Sequence, residues 1–235
     1  MAVSPPAPAA LPAGLVVLER GWLSSNTILA LGRESAAVVD TGYATHAQQT
    51  VDLVASVTGT KQLALIVNTH LHSDHCGGNA ALQAAHPGAK TAVPVGLADA
   101  VSSWDPVALT YEPTGQQCPR FLHQEVLQQG GWVQLGDVRW QVHAAPGHDP
   151  HSVILYEPDS RCLISADALW ENGFGVVFPE LEGDQAFAEV GTTLDLIETL
   201  APVVVIPGHG TPFSDLAGAL ARAGRRLAAY LASAS

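Results

Sequence analysis

Leu63-Ala64-Leu65-Ile66-Val67-Asn68-Thr69-His70-Leu71-His72-Ser73-Asp74-His75 is the stretch whose reading decides the fold. Its first five residues are a compact apolar run, of strand rather than helix length. The run passes directly into His-x-His-x-Asp-His, so four metal-ligand side chains fall within six residues at a strand's C-terminal end. Imidazoles and a carboxylate crowded together cost desolvation and repulsion unless a cation organises them. The alternative is a polar loop of solvated histidines. Imidazole and carboxylate accept zinc, iron or manganese.

Upstream, Gly14 to Glu19, Thr27 to Leu31 and Ala36 to Val39 are short apolar runs separated by turn residues, and they read as strands. Ala47, Val51, Val54 and Val57 stand at helical spacing, with Gly59 at the expected stop. Downstream, Gly77-Gly78 opens a helix through Ala85, and Thr91 to Pro94 is a strand. Residues 95–131 are irregular and bear Trp104, Tyr111 and Phe121; they read as a cover over a site or as a surface excursion with its own small core. Val138, Trp140 and Val142 alternate with polar residues, and Ser152 to Tyr156 and Arg161 to Ser165 are expected to pair with that strand. A helix from about Asp184 to Leu200 presents Phe187, Val190, Leu194 and Ile197; a buried strand, Val203 to Ile206, follows. A last amphipathic helix starts at Ser214 and carries Leu216, Leu220, Leu227 and Leu231. Mixed strands and helices without a repeat or linker predict one α/β domain over 14–235, behind a loose segment at 1–13.

Three further segments place one ligand-type side chain just beyond a strand: Ala145-Pro146-Gly147-His148, Ser165-Ala166-Asp167 and Pro207-Gly208-His209. Loops at one edge of a sheet framework can converge on one point. Together with Val39-Asp40-Thr41-Gly42 and the His-rich stretch, these five motifs resemble, in order, those of the metallo-β-lactamase superfamily. The resemblance implies an αββα sandwich, two mixed β-sheets face to face with helices outside, and a binuclear metal site at one edge. It implies His70, His72 and His148 on one divalent ion, Asp74, His75 and His209 on the other, Asp167 bridging, and Asp40 supporting the ligand loop. Read alone, Asp40-Thr41-Gly42 is also an ordinary turn. His151 and Trp170 are weaker candidates for touching a ligand or the substrate, and Trp170, Phe174 and Phe178 read equally as pocket wall or core cover. Cys76 reads as a small buried thiol. His46, His86, His123 and His143 read as structural or solvated.

The charge balance bounds the partners. A formal net charge of −12, from 22 acidic and 10 basic residues, and the lack of a Lys/Arg cluster beyond Arg225-Arg226 argue against nucleic acid and anionic membranes. Three widely spaced cysteines make no disulfide framework, and the Ala/Pro-rich start lacks a basic, apolar leader pattern, so a cytoplasmic setting is expected. The function expected is that of a binuclear metal-dependent hydrolase. Two divalent ions, zinc first and iron or manganese next, would lower the pKa of a shared water toward ~7. The resulting hydroxide attacks an acyl carbonyl of a small-molecule ester, thioester or lactone, with Asp74 orienting it or carrying a proton. The full ligand set with Asp167 looks like the glyoxalase II and lactonase branches. The alternatives are β-lactam or phosphodiester hydrolysis on the same site, a mononuclear iron persulfide dioxygenase, which uses two His and an Asp, and a non-enzymatic binding protein.

Overall fold

The structure is a computed structural model that describes residues 10–21, 23–178 and 185–233. Its first sheet runs β1 (Leu15–Leu18), β2 (Thr27–Leu31), β3 (Ser35–Val39), β4 (Gln62–Val67), β5 (Lys90–Pro94), β6 (Glu125–Leu127) in sequential order. Strands β1 to β3 pair antiparallel and β3 to β6 pair parallel. The second sheet comprises β7 (Trp132–Leu135), β8 (Val138–Ala144), β9 (Val153–Glu157), β10 (Cys162–Ala166) and β11 (Val204–Pro207), also side by side in that order. All its pairs are antiparallel except β10 with β11. Among the described residues the α-helices are α1 (Ala47–Thr58), α2 (Ser73–Cys76), α3 (Asn79–Ala85), α4 (Ala98–Ser103), α5 (Tyr111–Thr114), α6 (Ala186–Leu200) and α7 (Leu216–Ser233).

Period-two alternation sorts each strand between two layers. Ile28, Ala30, Val39 and Val67 face Val142, Leu155, Ile164 and Ile206 in a core between the sheets. The intervening residues face helices: Leu29, Val38 and Ile66 pack with Val54 of α1 and Leu82 of α3. On the other side Ile154, Leu163 and Val205 pack with Val190, Leu194 and Ile197 of α6 and with Ala219 and Ala223 of α7. This is the expected αββα sandwich of two mixed sheets. Strands β9 to β11 are buried on both faces, which is why they read as unbroken apolar runs.

Two details differ from the sequence reading. Of the strands expected to pair with β8, only β9 does; β10 pairs with β9 and β11. The Glu157 carboxylate accepts the Asp159 and Ser160 amides in the tight turn after β9, so the chain folds back along the free edge of β9. Strands β6 and β7 were not expected, because one has three residues and the other four. The 95–131 segment does hold its own small core, Leu97, Val101, Leu109, Tyr111 and Phe121, and that core packs on Leu71 and Cys76 of the His-rich loop. The residue at which α6 was expected to start, Asp184, lies outside the described residues. Among the described residues no helix is long and apolar enough to cross a membrane.

Candidate metal centre

The site sits where strands end. Asp40 follows β3, His70 to His75 follow β4, His148 follows β8, Asp167 follows β10 and His209 follows β11. Parallel pairing of β3 with β4, and of β10 with β11, puts neighbouring C-terminal ends at the same edge. Gly208 is required there: a Cβ at that position would collide with Asp167 Oδ1 and His75.

All seven residues expected as ligands are brought together. They form three overlapping sets whose donor atoms lie within 4.8 Å of one another: His70, His72 and His148; His70, His75 and Asp167; Asp74, His75 and His209. His72 Nδ1 and His148 Nε2 approach to 2.9 Å, His148 Nε2 lies 3.4 Å from Asp167 Oδ2, and His209 Nε2 lies 3.1 Å from Asp74 Oδ2. His75 Nε2 is 3.4 Å from Asp167 Oδ1 and 3.7 Å from Asp74 Oδ2. The Nε2 atoms of His70 and His75 are buried without a hydrogen-bond partner. A buried polar atom left so is costly, and two such atoms within one cluster of imidazoles and carboxylates fit a cation.

Protonation states agree with that fit. Burial, then repulsion from His75, His72 and His148, holds His70 well below the usual imidazole range. Burial and His148 push His72 down to about 4. Burial opposes ionisation of Asp167, yet His75, His148 and His209 outweigh it and hold the carboxyl well below its ordinary value. Asp74 is likewise lowered against burial by His75 and His209. At neutral pH His70 and His72 are therefore neutral and Asp74 and Asp167 ionised, the forms that ligate metal. His75, by contrast, is raised well above the usual imidazole range, its burial outweighed by Asp167, Asp40 and Asp74, so that a metal ion bound there would displace a proton.

Asp40 is both a turn residue and a support. Its φ is 55°, in the left-handed region, and its buried carboxylate accepts the Thr69 amide at 2.9 Å and the Thr69 hydroxyl at 2.8 Å. The other contact, 2.8 Å to His75 Nδ1, fixes the ring with Nε2 turned toward Asp74 and Asp167. His148 is anchored similarly, with Nδ1 donating 2.5 Å to the Val176 carbonyl.

Above the donors lies a cavity of about 680 Å³. Its polar end is His72, Asp74, His148, Asp167 and His209, and its wall includes Tyr43, Trp170 and the exposed side chains of Leu23 (47%), Val176 (46%) and Phe178 (48%). Exposed apolar groups gathered at one cavity mark a ligand surface. Trp170 Nε1 donates to Asp167 Oδ1 at 3.2 Å, and its ring stands against His209. Phe174, by contrast, is buried in the core beneath α6 and α7. His151 is not brought into this cavity; it borders a smaller one with Asp149 and Leu97. Cys76 is buried, with Sγ near the Tyr111 hydroxyl and Cys118. His46, His123 and His143 bond to Ser24, Ser102 and Gln141 respectively, as structural histidines do.

Several site residues had escaped the sequence reading. Gln116 accepts the Ser73 amide and hydroxyl at 3.1 and 2.6 Å, tying the 95–131 segment to α2. Asp149 Oδ2 lies 3.9 Å from His72 Nε2, and its only signal was adjacency to His148. Arg20 lines the cavity from the β1–β2 connection.

A sequence profile of the metallo-β-lactamase superfamily matches residues 20–209, from Arg20 through His209. The chain belongs to the metallo-β-lactamase superfamily. An acyl-coenzyme A thioesterase of Homo sapiens is 28% identical over 209 residues, covering 80% of this chain and 74% of that protein. A hydroxyacylglutathione hydrolase of Synechococcus sp. (strain JA-3-3Ab) is 33% identical over 147 residues, 61% of this chain but 48% of its own length. The protein is a hydrolase of the superfamily. Solved structures share the metallo-β-lactamase fold: a family protein from Thermus thermophilus has a TM-score of 0.74 at 21% identity, covering 95% of this chain and 81% of that one. A metallo-β-lactamase of Cronobacter sakazakii has a TM-score of 0.75 at 16% identity, covering 97% and 95%.

Proposed function

We propose that this metallo-β-lactamase-superfamily protein is a binuclear metallo-hydrolase of small-molecule acyl thioesters, esters or lactones. His70, His72 and His148 would hold one divalent ion, Asp74, His75 and His209 the second, with Asp167 shared. Zinc is the first choice on donor chemistry, with iron and manganese accepted by the same set. The observation that carries the reading is the convergence of seven donors, two with orphaned buried Nε2 atoms, beneath a cavity with an apolar wall.

Divalent ions at such a site supply a water of lowered pKa and a positive charge for a developing oxyanion. The chain's own residues do the rest. Asp74 is ionised, bonded to His209 and partly open to the cavity, so its Oδ2 is placed to take a proton from the attacking water and return it to the departing sulfur or oxygen. Trp170, Val176 and Phe178 hold the acyl group and exclude bulk water. The thioesterase and hydroxyacylglutathione hydrolase relatives support acyl transfer to water over β-lactam or phosphodiester cleavage. A panel of thioesters, lactones, aryl esters, a β-lactam and a phosphodiester tests this. Acyl substrates should be cleaved, and Asp74→Asn should lower kcat roughly 100-fold or more while the fold persists. Cleavage confined to the phosphodiester or β-lactam would refute it.

A further inference from the structure

Arg20 borders the same cavity and, among the described residues, has no acidic partner. Its Nη1 donates to Thr50 Oγ1 at 2.9 Å and to Thr27 Oγ1 at 3.3 Å, and its Nη2 donates to Gln49 Oε1 at 2.9 Å. Every one of these acceptors is neutral, and among the described residues no carboxylate lies within ion-pair distance of this guanidinium. Burial without an anion lowers its pKa, the opposite of what an ion pair would do. The three bonds fix the plane of the guanidinium while leaving two of its five N–H groups for another partner. Among the described residues the guanidinium is held in place by neutral acceptors alone.

The position gives that charge a use. Arg20, Leu23 and Tyr43 border the cavity from loops of the first sheet, whereas Trp170, Val176 and Phe178 border it from the loop after β10. Apolar groups dominate the second loop, and the cationic group belongs to the first. We infer that Arg20 recognises an anionic group, carboxylate or phosphate, on the departing thiol or alcohol of the substrate, while the apolar wall takes the acyl part. Planar, pinned guanidinium is the donor best suited to either oxyanion. This inference rests on the acyl-hydrolase reading above, and it adds the chemical class of the leaving group.

The test uses metal-loaded full-length protein and one acyl group on three thiols: 3-mercaptopropionate, 2-mercaptoethyl phosphate and neutral N-acetylcysteamine. The readout is the ratio of kcat/KM for each anionic thioester to that for the neutral one. Wild type should favour an anionic substrate by about tenfold or more, mainly through KM, and the larger ratio names carboxylate or phosphate. Arg20→Gln should abolish the preference. Gln49→Glu is the second variant; it sets a carboxylate on Nη2 and should abolish the preference with the arginine still present and the fold intact by thermal denaturation. Calorimetry with the non-hydrolysable thioether analogues separates the two readings. Arg20-dependent binding of the anionic thioether without hydrolysis of any thioester, aryl ester or lactone would keep the recognition of an anion by Arg20 and overturn the hydrolase. Hydrolysis with the same ratio in wild type, Arg20→Gln and Gln49→Glu would overturn this inference alone.

Discussion

Replacing Asp40 separates support of the ligand loop from contact with the metal. The carboxylate makes three buried bonds: to the Thr69 amide, to the Thr69 hydroxyl and to His75 Nδ1. A hydrogen bond to a charged group contributes about 1.5–3 kcal/mol, and breaking a buried charged pair costs about 3–5 kcal/mol. Asp40→Ala also puts alanine at a φ of 55°, where it loses the tolerance that Asp and Asn have for the left-handed region, about 1 kcal/mol more. A loss of roughly 4–6 kcal/mol is expected, equivalent to a fall in Tm of about 8–24 °C for a chain of this size. Asp40→Asn keeps the shape and the backbone preference, so it should cost far less stability. Its amide, however, cannot stabilise a proton on His75 Nδ1 as the carboxylate does, so the proton shifts toward Nε2, the atom facing Asp74 and Asp167. Metal affinity should then fall about 10- to 100-fold, read by competition with a chromophoric chelator. Wild-type affinity in Asp40→Asn, at unchanged stability, would show that the orientation of His75 does not matter to the site.

Trp170→Ala should lower kcat/KM for bulky or aromatic acyl groups by roughly 10- to 100-fold relative to acetyl, as expected when a pocket contact is lost; an unchanged acyl preference would place the indole outside the binding wall. Gly208→Ala drives a methyl into Asp167 and His75, so metal titration should show weakened binding together with a loss of about 1–3 kcal/mol on denaturation. For Glu157, burial raises the carboxyl pKa, but the Ser160 and Asp159 hydrogen bonds outweigh it and hold the value below ordinary. A depressed folded pKa gives stability that is present above the unfolded value and lost as pH falls through the folded one. The stability gap between wild type and Glu157→Gln should therefore be full at pH 7 and shrink below about pH 4, where urea unfolding that shows a widening gap would reverse the sign. Stripping metal with chelator should lower Tm, because a ligand held at 100 times its Kd adds about 2.7 kcal/mol.

What the chain order alone revealed was the frame of the site. The run Leu63 to Val67 and the donors that follow it are contiguous, so a strand and its ligand loop could be read from a single window. The same held for α1, whose apolar spacing and terminal Gly59 are local signals. Pairings across the fold were less accessible. Strand β6 exposes Glu125 and Val126 and buries only Leu127, which leaves no alternation to detect. The cavity wall gathers Arg20, Tyr43, Gln116 and Trp170 from four loops, and nothing periodic links such positions. Trp170, Phe174 and Phe178 show the same limit within one loop: two border the cavity and one fills the core, a division set by backbone direction and not by residue type.

The central claim is best tested by elemental analysis of the purified protein before and after chelation, with thioester hydrolysis measured on the same samples. About two divalent ions per chain are expected, with activity lost on chelation and restored by zinc or manganese. About one iron per chain and no hydrolysis of any acyl substrate would contradict the binuclear hydrolase.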